Sequence, residues 1–353
     1  MTSASSPVCI AGALVQAEIR AVMLAATSIF LIMVSPSVVV FAGVAKRGTL
    51  LPMLTDSSTS MLQLCADPVL GVSMRNVTVL RLDLLGGSAP GNKVFKLRGS
   101  LRAAQARGIK RILSFGGAWS NHLHALAAVG AELDLETVGV VRGAETETPA
   151  LEDMRRWGMQ IVPVSRETYR RRFDSDWLAD LEQRHAPCLV VPEGGAGADG
   201  LRGCLEIADM VNRSGRIFSR VLVPVGTGTT LAGLIAGLRG SPEVFGVAAL
   251  KGARDLEERV QEYLHASGLP ARVSWQIIHD AHCGGFARTS AELRAFMLAF
   301  ESVQRLPLEP VYTGKMLYAL HSRLAQGRWA EDEPVLVVHT GGLQGRRGYA
   351  WLG

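Results

Sequence analysis

From about residue 95 onward, short continuous apolar runs alternate with longer segments whose apolar positions recur at helical spacing. Strand-like runs fall at Lys110 to Phe115, Thr137 to Val141, Gln160 to Val164, Cys188 to Val191, Val221 to Val225, Val244 to Leu250, Val273 to Ile278 and Val335 to His339. Helical patterns cover Phe95 to Arg107, Asn121 to Leu133 and Leu231 to Leu238. Runs that are apolar throughout suit strands covered on both faces, and their alternation with helices predicts an α/β fold built on open parallel sheets. In such folds ligands bind beyond the carboxyl ends of the strands, so the loops that follow these runs are where chemistry is sought.

The N-terminus departs from this pattern. Residues 21–45 carry no charge over a stretch long enough to cross a bilayer, with Arg20 before it and Lys46 and Arg47 after. The first reading is a non-catalytic extension or a misassigned start, with Met53, Met61 and Met74 as later starts. The second is a membrane anchor with the Lys46 and Arg47 side cytoplasmic. The third, a secretory signal, is weakened by the late start and the lack of a clean small-residue cleavage site.

Composition narrows the class of protein. The 353 residues are 48% hydrophobic and 20% charged, enough for a substantial core and two lobes. A formal charge of +5 favours anionic ligands, but the one dense basic run, Arg170 to Arg172, lacks interleaved aromatics and reads as a solvated helix face, not a nucleic-acid surface. Cysteines at 9, 65, 188, 204 and 283 form no CxxC pair, which points to a reduced, cytoplasmic protein. His279, Asp280, His282 and Cys283 cluster in the sequence, yet they follow a strand-like run where polar residues open a loop, and no metal is expected.

Four loops carry candidate chemistry. Ser114 to His122 has two glycines and then Ser120 and Asn121 at a helix N-terminus, where hydroxyl, amide and free N–H groups face one anion; simple capping fits equally well. His122 and His124 read as a helix-face pair, because residues two apart point to different sides. Gly226, Thr227, Gly228, Thr229 and Thr230 form a strand-to-helix turn suited to a monophosphate; the P-loop lysine is absent. Gly91 to Lys96 places Lys93 and Lys96 three apart, on one side of the helix that begins there. A lysine becomes a Schiff-base nucleophile when desolvation or a neighbouring cation lowers its pKa. Pro310 to Lys315 and His339 to Gly342 are placed to close over a ligand.

The ordered motifs GNKxxKL, GGAWSNH, PEGG, GTGTT, EPVYTGK and HTGG resemble the family of 1-aminocyclopropane-1-carboxylate deaminases and D-cysteine desulfhydrases, of the tryptophan-synthase-β-like fold. The resemblance runs from about residue 80 to the C-terminus. It implies pyridoxal 5'-phosphate as cofactor, a small amino acid as substrate and a homodimer. It implies a larger cofactor-binding domain from 61–95 with 195–353, a smaller α/β domain at 96–194, and 1–60 as an extension. Lys93 matches the Schiff-base lysine and Lys96 the lysine by the cofactor phosphate. Asn121 matches the asparagine that bonds the cofactor ring oxygen, and Ser120 the serine that touches the substrate carboxylate. The loop from Gly226 to Thr230 matches the phosphate cradle, Tyr312 the tyrosine over the substrate, and Thr340 the hydroxyl near the pyridine nitrogen. Glu193, Gly194 and Gly195 match a cleft loop to which no role attaches.

Two departures bear on the substrate. Thr313 follows Tyr312 where deaminases carry a glutamate that engages the pyridine nitrogen, and Phe286 takes the place of a second active-site tyrosine. Both favour β-elimination from D-cysteine or a similar β-substituted amino acid over opening of the cyclopropane. The alternatives are 1-aminocyclopropane-1-carboxylate deaminase, a sister dehydratase or synthase of the same fold, and a non-catalytic pyridoxal-phosphate-binding protein.

Overall fold

The computed structural model describes residues 61–352, so the apolar segment at 21–45 and the rest of 1–60 lie outside the described residues. Among the described residues there are ten strands: β1 (Leu62–Leu64), β2 (Val77–Arg81), β3 (Arg111–Gly117), β4 (Glu136–Arg142), β5 (Gln160–Val164), β6 (Leu189–Val190), β7 (Arg220–Val225), β8 (Glu243–Ala248), β9 (Trp275–Ile278) and β10 (Val335–His339). The α-helices are α1 (Asn92–Ala106), α2 (Asn121–Leu133), α3 (Pro149–Arg156), α4 (Arg166–Arg170), α5 (Ser175–Arg184), α6 (Ala198–Arg213), α7 (Thr229–Gly237), α8 (Leu256–Ser267), α9 (Ala291–Gln304) and α10 (Thr313–Ala325).

The strands build two sheets, one in the order β1-β2-β10-β7-β8-β9 and one in the order β5-β4-β3-β6. Every pairing is parallel except that of β1 with β2. The central strands explain why their sequences are apolar without alternation. Val221, Val223 and Val225 enter one core with Leu336 and Val338, while Leu222 enters another with Val335 and Val337. Side chains of successive strand residues point to opposite faces, so a strand covered on both sides needs apolar residues at both. The first core is closed by α6, α7 and α8 through Ile207, Leu234 and Val260; the second by α9 and α10 through Phe296, Phe300, Leu317 and Leu320. A separate core of Leu113, Phe115, Val138, Val140, Tyr169 and Trp177 holds the four-stranded sheet.

Several elements begin or end away from the sequence expectation. Helix α1 starts at Asn92 instead of Phe95, which puts both lysines within its first five residues. Strand β2, outside the expected alternation, is buried at all five positions and lies between β1 and β10. The expected strand over Cys188 to Val191 shrinks to the edge strand β6, which pairs on one side only. Arg172 corrects the reading of the basic run as a solvated face: it turns inward and donates from Nε to Glu193 Oε2 at 2.6 Å. The ion pair and the stacking of its guanidinium on Tyr169 and Phe173 outweigh solvation there.

No helix among the described residues is long and apolar enough to cross a membrane. His279 Nε2 lies 2.7 Å from Glu257 Oε1 and Asp280 pairs with Arg323 at 3.0 Å, so two of the four clustered polar residues after β9 are engaged by other side chains.

Candidate active site

A cavity of about 820 Å³ opens where the carboxyl ends of β3, β4, β7 and β10 meet the start of α1. Lys93, Lys96, Ser120, Asn121, Gly226, Thr227, Gly228, Thr230, Tyr312 and Thr340 all reach its wall. Thr229 does not: its hydroxyl bonds that of Thr227 at 2.9 Å and fixes the neighbour that does face the cavity.

The lysines owe their position to the turn before them. Gly91 has a φ of +124°, which favours glycine, and a Cβ there would stand 2.6 Å from the Thr340 carbonyl oxygen. The Asn92 backbone N–H donates to that oxygen at 3.1 Å, and its side-chain amide donates to Thr230 Oγ1 at 2.9 Å. Helix α1 lies on α6 so closely that a Cβ on Gly203 would stand 1.8 Å from the Phe95 carbonyl oxygen. Lys93 Nζ donates to Asn92 Oδ1 at 3.1 Å and lies 6.0 Å from the centroid of the Tyr312 ring. Desolvation, then the charge of Lys96, lower the Lys93 pKa from 10.5 to about 7. Lys96 Nζ donates to Thr227 Oγ1 at 3.3 Å, and burial lowers its pKa as well.

The loop after β7 caps α7 with Gly228, which has a φ of +88°. A Cβ on Gly226 would come within 3.1 Å of the Tyr312 ring, so the turn stays open only because both positions lack side chains. The free N–H groups at the start of α7, the Thr227 and Thr230 hydroxyls and the Lys96 amine together suit a dianionic phosphate.

Across the cavity, Ser120 caps α2 by accepting the Leu123 N–H at 3.2 Å. Its own hydroxyl proton remains free to donate, so capping and ligand contact are compatible at one side chain. Asn121 Oδ1 accepts a hydrogen bond from Gln344 Nε2, which leaves the Asn121 amide nitrogen to donate. His122 and His124, read as a helix-face pair, are both buried, because α2 is apolar nearly all round. The Ser114 hydroxyl lies 2.7 Å from the Val191 carbonyl oxygen, which only accepts, so its proton goes there. His122 Nε2, 2.8 Å from Ser114 Oγ, is therefore the donor of that pair, and Nδ1 is left as an acceptor with no partner among the described residues. Burial, reinforced by Lys93 and Lys96, lowers the His122 pKa to about 3 and keeps the ring neutral.

Glu309 had no role in the sequence reading. Its buried carboxylate accepts the N–H groups of Val311 at 2.8 Å and of Tyr312 and Thr313 at 2.6 Å each, which fixes the start of α10 and hence Tyr312. Burial pushes the Glu309 carboxyl up, and burial together with the Glu309 charge pushes the Tyr312 phenol well above its ordinary value. Thr313 is fully buried against the Glu309 backbone, with Glu309 N–H donating to its hydroxyl at 3.0 Å. Lys315 lies behind the wall and donates to the Gly285 and Ala249 carbonyl oxygens at 2.7 and 3.2 Å, so it fastens the loop that carries Phe286. The Phe286 ring stands edge-on to Tyr312, with centroids 6.3 Å apart.

A desolvated amine near neutrality beside a side-chain-free phosphate cradle, with a fixed phenol above, is the donor set of a pyridoxal-phosphate site, and the cavity volume suits that cofactor. The chain belongs to the pyridoxal-phosphate-dependent enzyme family, whose sequence pattern matches residues 76–341, and pyridoxal 5'-phosphate is its cofactor. It is 31% identical over 289 residues to a Thermotoga maritima protein provisionally named 1-aminocyclopropane-1-carboxylate deaminase, covering 76% of this chain and 89% of that one. It is 28% identical over 289 residues to the D-cysteine desulfhydrase of Serratia proteamaculans, covering 76% of this chain and 87% of that one. Among solved structures, a 1-aminocyclopropane-1-carboxylate deaminase homologue superposes with a TM-score of 0.67 at 24% identity, covering 78% of this chain and 88% of the other. Threonine deaminase isoform 2 from Solanum lycopersicum superposes at 0.51 with 18% identity, covering 75% and 79%. The fold is thus the tryptophan-synthase-β-like, type II fold that the motifs implied.

Proposed function

We propose that the chain catalyses β-elimination from a small amino acid, D-cysteine or a similar β-substituted one, so that D-cysteine and water give pyruvate, ammonia and hydrogen sulfide. The observation that carries this reading is the placement of the Lys93 amine, 6.0 Å from the Tyr312 ring centroid and three residues before the Lys96 that bonds Thr227 of the phosphate cradle. Bound pyridoxal phosphate supplies the electron sink for the Cα carbanion.

Lys93 would hold the cofactor covalently through its amine, and the same amine, when free, would remove the substrate Cα proton. Lys96 and the loop from Gly226 to Thr230 hold the phosphate. Ser120 donates its free hydroxyl proton to the substrate α-carboxylate at the start of α2, and Asn121, oriented by Gln344, donates to the cofactor ring oxygen. Thr340, on the cavity wall, would lie by the pyridine nitrogen. A neutral hydroxyl there would leave the nitrogen unprotonated and the sink weak, which would suit loss of a good β leaving group. Tyr312, its pKa raised, stays a phenol and protonates the departing sulfur.

A second reading, deamination of 1-aminocyclopropane-1-carboxylate, draws on the name of the Thermotoga relative. Phe286 and Thr313 weigh against it, because neither brings an acid to the cavity. Keto-acid release from both substrates on one preparation distinguishes the two.

The division into a larger lobe of 61–95 with 195–353 and a smaller lobe of 96–194 is also proposed. It is supported by the sheets: β1, β2 and β7 to β10 come from the first set, and β3 to β6 from the second. A cytoplasmic location is supported by the free thiols of Cys65, Cys188, Cys204 and Cys283. A homodimer is the expected assembly, and sedimentation of the holoenzyme tests it.

A further inference from the structure

The Glu193 loop, to which no role attached in the motif reading, forms one wall of the cavity together with Arg172 and Arg142, whose guanidinium groups both lie over the buried Tyr169 ring. Glu193 is fully engaged: Oε1 accepts the Tyr169 hydroxyl at 2.8 Å and Oε2 accepts Arg172 Nε at 2.6 Å. The guanidinium carbons of Arg142 and Arg172 both lie 5.0 Å from the centroid of the Tyr169 ring. Arg172 is neutralised by Glu193, and Arg259, the third arginine on the cavity, pairs with Asp255 of its own chain segment. Among the described residues Arg142 has neither a carboxylate partner nor a side-chain hydrogen bond, although it lines the cavity and is exposed to its mouth.

Two features fix where this charge acts. Arg142 ends β4 in register with Gly117 of β3, and a Cβ on Gly117 would stand 3.7 Å from Arg142 Nε, so the guanidinium lies over the glycine stretch that leads to Ser120. The same positive charge reaches the Tyr312 phenol, where it opposes the pull of Glu193 and Glu309. The cation therefore faces the space between the substrate-carboxylate end of α2 and the proposed acid.

We propose that Arg142 reads a second anionic group on the substrate, so that among β-substituted amino acids those with a negatively charged substituent besides the α-carboxylate bind more tightly than neutral ones such as D-cysteine. This rests on the amino-acid lyase reading above and narrows its substrate class. The cations serving the cofactor phosphate and the donors serving the α-carboxylate are elsewhere on the wall, at Lys96 and at Ser120. A guanidinium presents paired N–H donors that match the oxygens of a carboxylate, sulfinate or phosphate, and stacking on Tyr169 holds its plane while its edge stays free.

Aspartate and asparagine test this without turnover, since they share a shape, differ by one charge and lack a good β leaving group. Each enantiomer of both is titrated into the pyridoxal-phosphate holoenzyme, with the cofactor's visible absorption as the readout. Aspartate of at least one hand is expected to bind about tenfold more tightly than the matching asparagine, the scale of one charge-assisted hydrogen bond. Added salt should shrink that preference, because the arginine is exposed. R142Q should remove it and R142K should keep part of it. Equal binding of aspartate and asparagine to the natural enzyme, no spectral change with any of the four, or an equal loss of both in R142Q overturns the proposal, the last by assigning Arg142 to the α-carboxylate. The lyase reading fails separately: no keto acid would appear from D-cysteine while the aspartate preference stood.

Discussion

Gly91 and Gly341 pair across the base of the cleft in an isolated antiparallel bridge, so tightly that a Cβ on Gly341 would stand 2.8 Å from the Gly91 Cα. Residues 250 apart in sequence thereby set one backbone contact that orients two functional elements. Gly91 leads into Lys93, and Gly341 follows Thr340, so the amine and the hydroxyl proposed for the two ends of one cofactor are referenced to the same bridge. Side chains longer than hydrogen are excluded from both positions, which is a physical reason for glycine in both the GNK and HTGG motifs.

Replacement of Lys93 separates the covalent from the structural role of the lysine pair. Lys93→Ala is expected to abolish the visible absorption of lysine-linked cofactor while leaving the circular dichroism of the fold unchanged. Lys96→Ala should keep the linkage and weaken cofactor retention, since its amine lies by Thr227 at the phosphate cradle. If Lys93→Ala keeps the band and Lys96→Ala loses it, the two assignments are exchanged.

The lowered pKa of Lys93 sets a pH dependence for cofactor loading. Only the neutral amine attacks an aldehyde, and with a pKa of about 7 that form predominates above neutrality and falls away below it. The rate at which apoprotein takes up pyridoxal phosphate covalently should therefore rise through pH 6 to 8 and level off. At one pH unit below the pKa it should be about a tenth of the plateau. Stopped-flow absorbance checks this, and a rate still climbing between pH 8 and 10 would mean that the amine keeps its ordinary value.

Much of the site was legible because its chemistry is local. The glycines and threonines from Gly226 to Thr230 follow an apolar strand and precede an apolar helix, and that order alone specifies a helix N-terminus open to an anion. Helix α2 spans Asn121–Leu133 as its Ser120 cap and apolar run indicated. The start of α1 was hidden because its first two residues, Asn92 and Lys93, are polar and lie ahead of the apolar run. Glu309 lay inside a recognised motif, but its role depends on the chain folding back so that one carboxylate meets three N–H groups. Gln344 reaches Asn121 across 223 residues, and Arg142 matters because its neighbours' carboxylates are spent elsewhere. Contacts of that kind leave no periodic or local signature.

Gly228 offers a test of the phosphate cradle in which geometry and charge are separable. Asparagine and aspartate tolerate its left-handed conformation to a similar degree and both cap helices well, so Gly228→Asn measures the steric effect and Gly228→Asp adds a negative charge. The aspartate variant should hold pyridoxal phosphate at least about tenfold more weakly than the asparagine variant, from like charges meeting at a partly desolvated site. Fluorescence titration of the two apoproteins measures the ratio. Equal affinities would remove the loop from the phosphate site.

The substrate reading rests on Phe286, Thr313 and Thr340 together. Sulfide leaves readily from an α-carbanion, whereas opening an unactivated cyclopropane expels carbon and needs a strong sink with an acid in place. Steady-state assay of keto-acid release from D-cysteine and from 1-aminocyclopropane-1-carboxylate, on one holoenzyme preparation, is the most direct measurement. The account predicts the higher kcat/KM for D-cysteine, with sulfide and pyruvate in equal amounts; a higher kcat/KM for the cyclopropane substrate, or no keto acid from either, would contradict it.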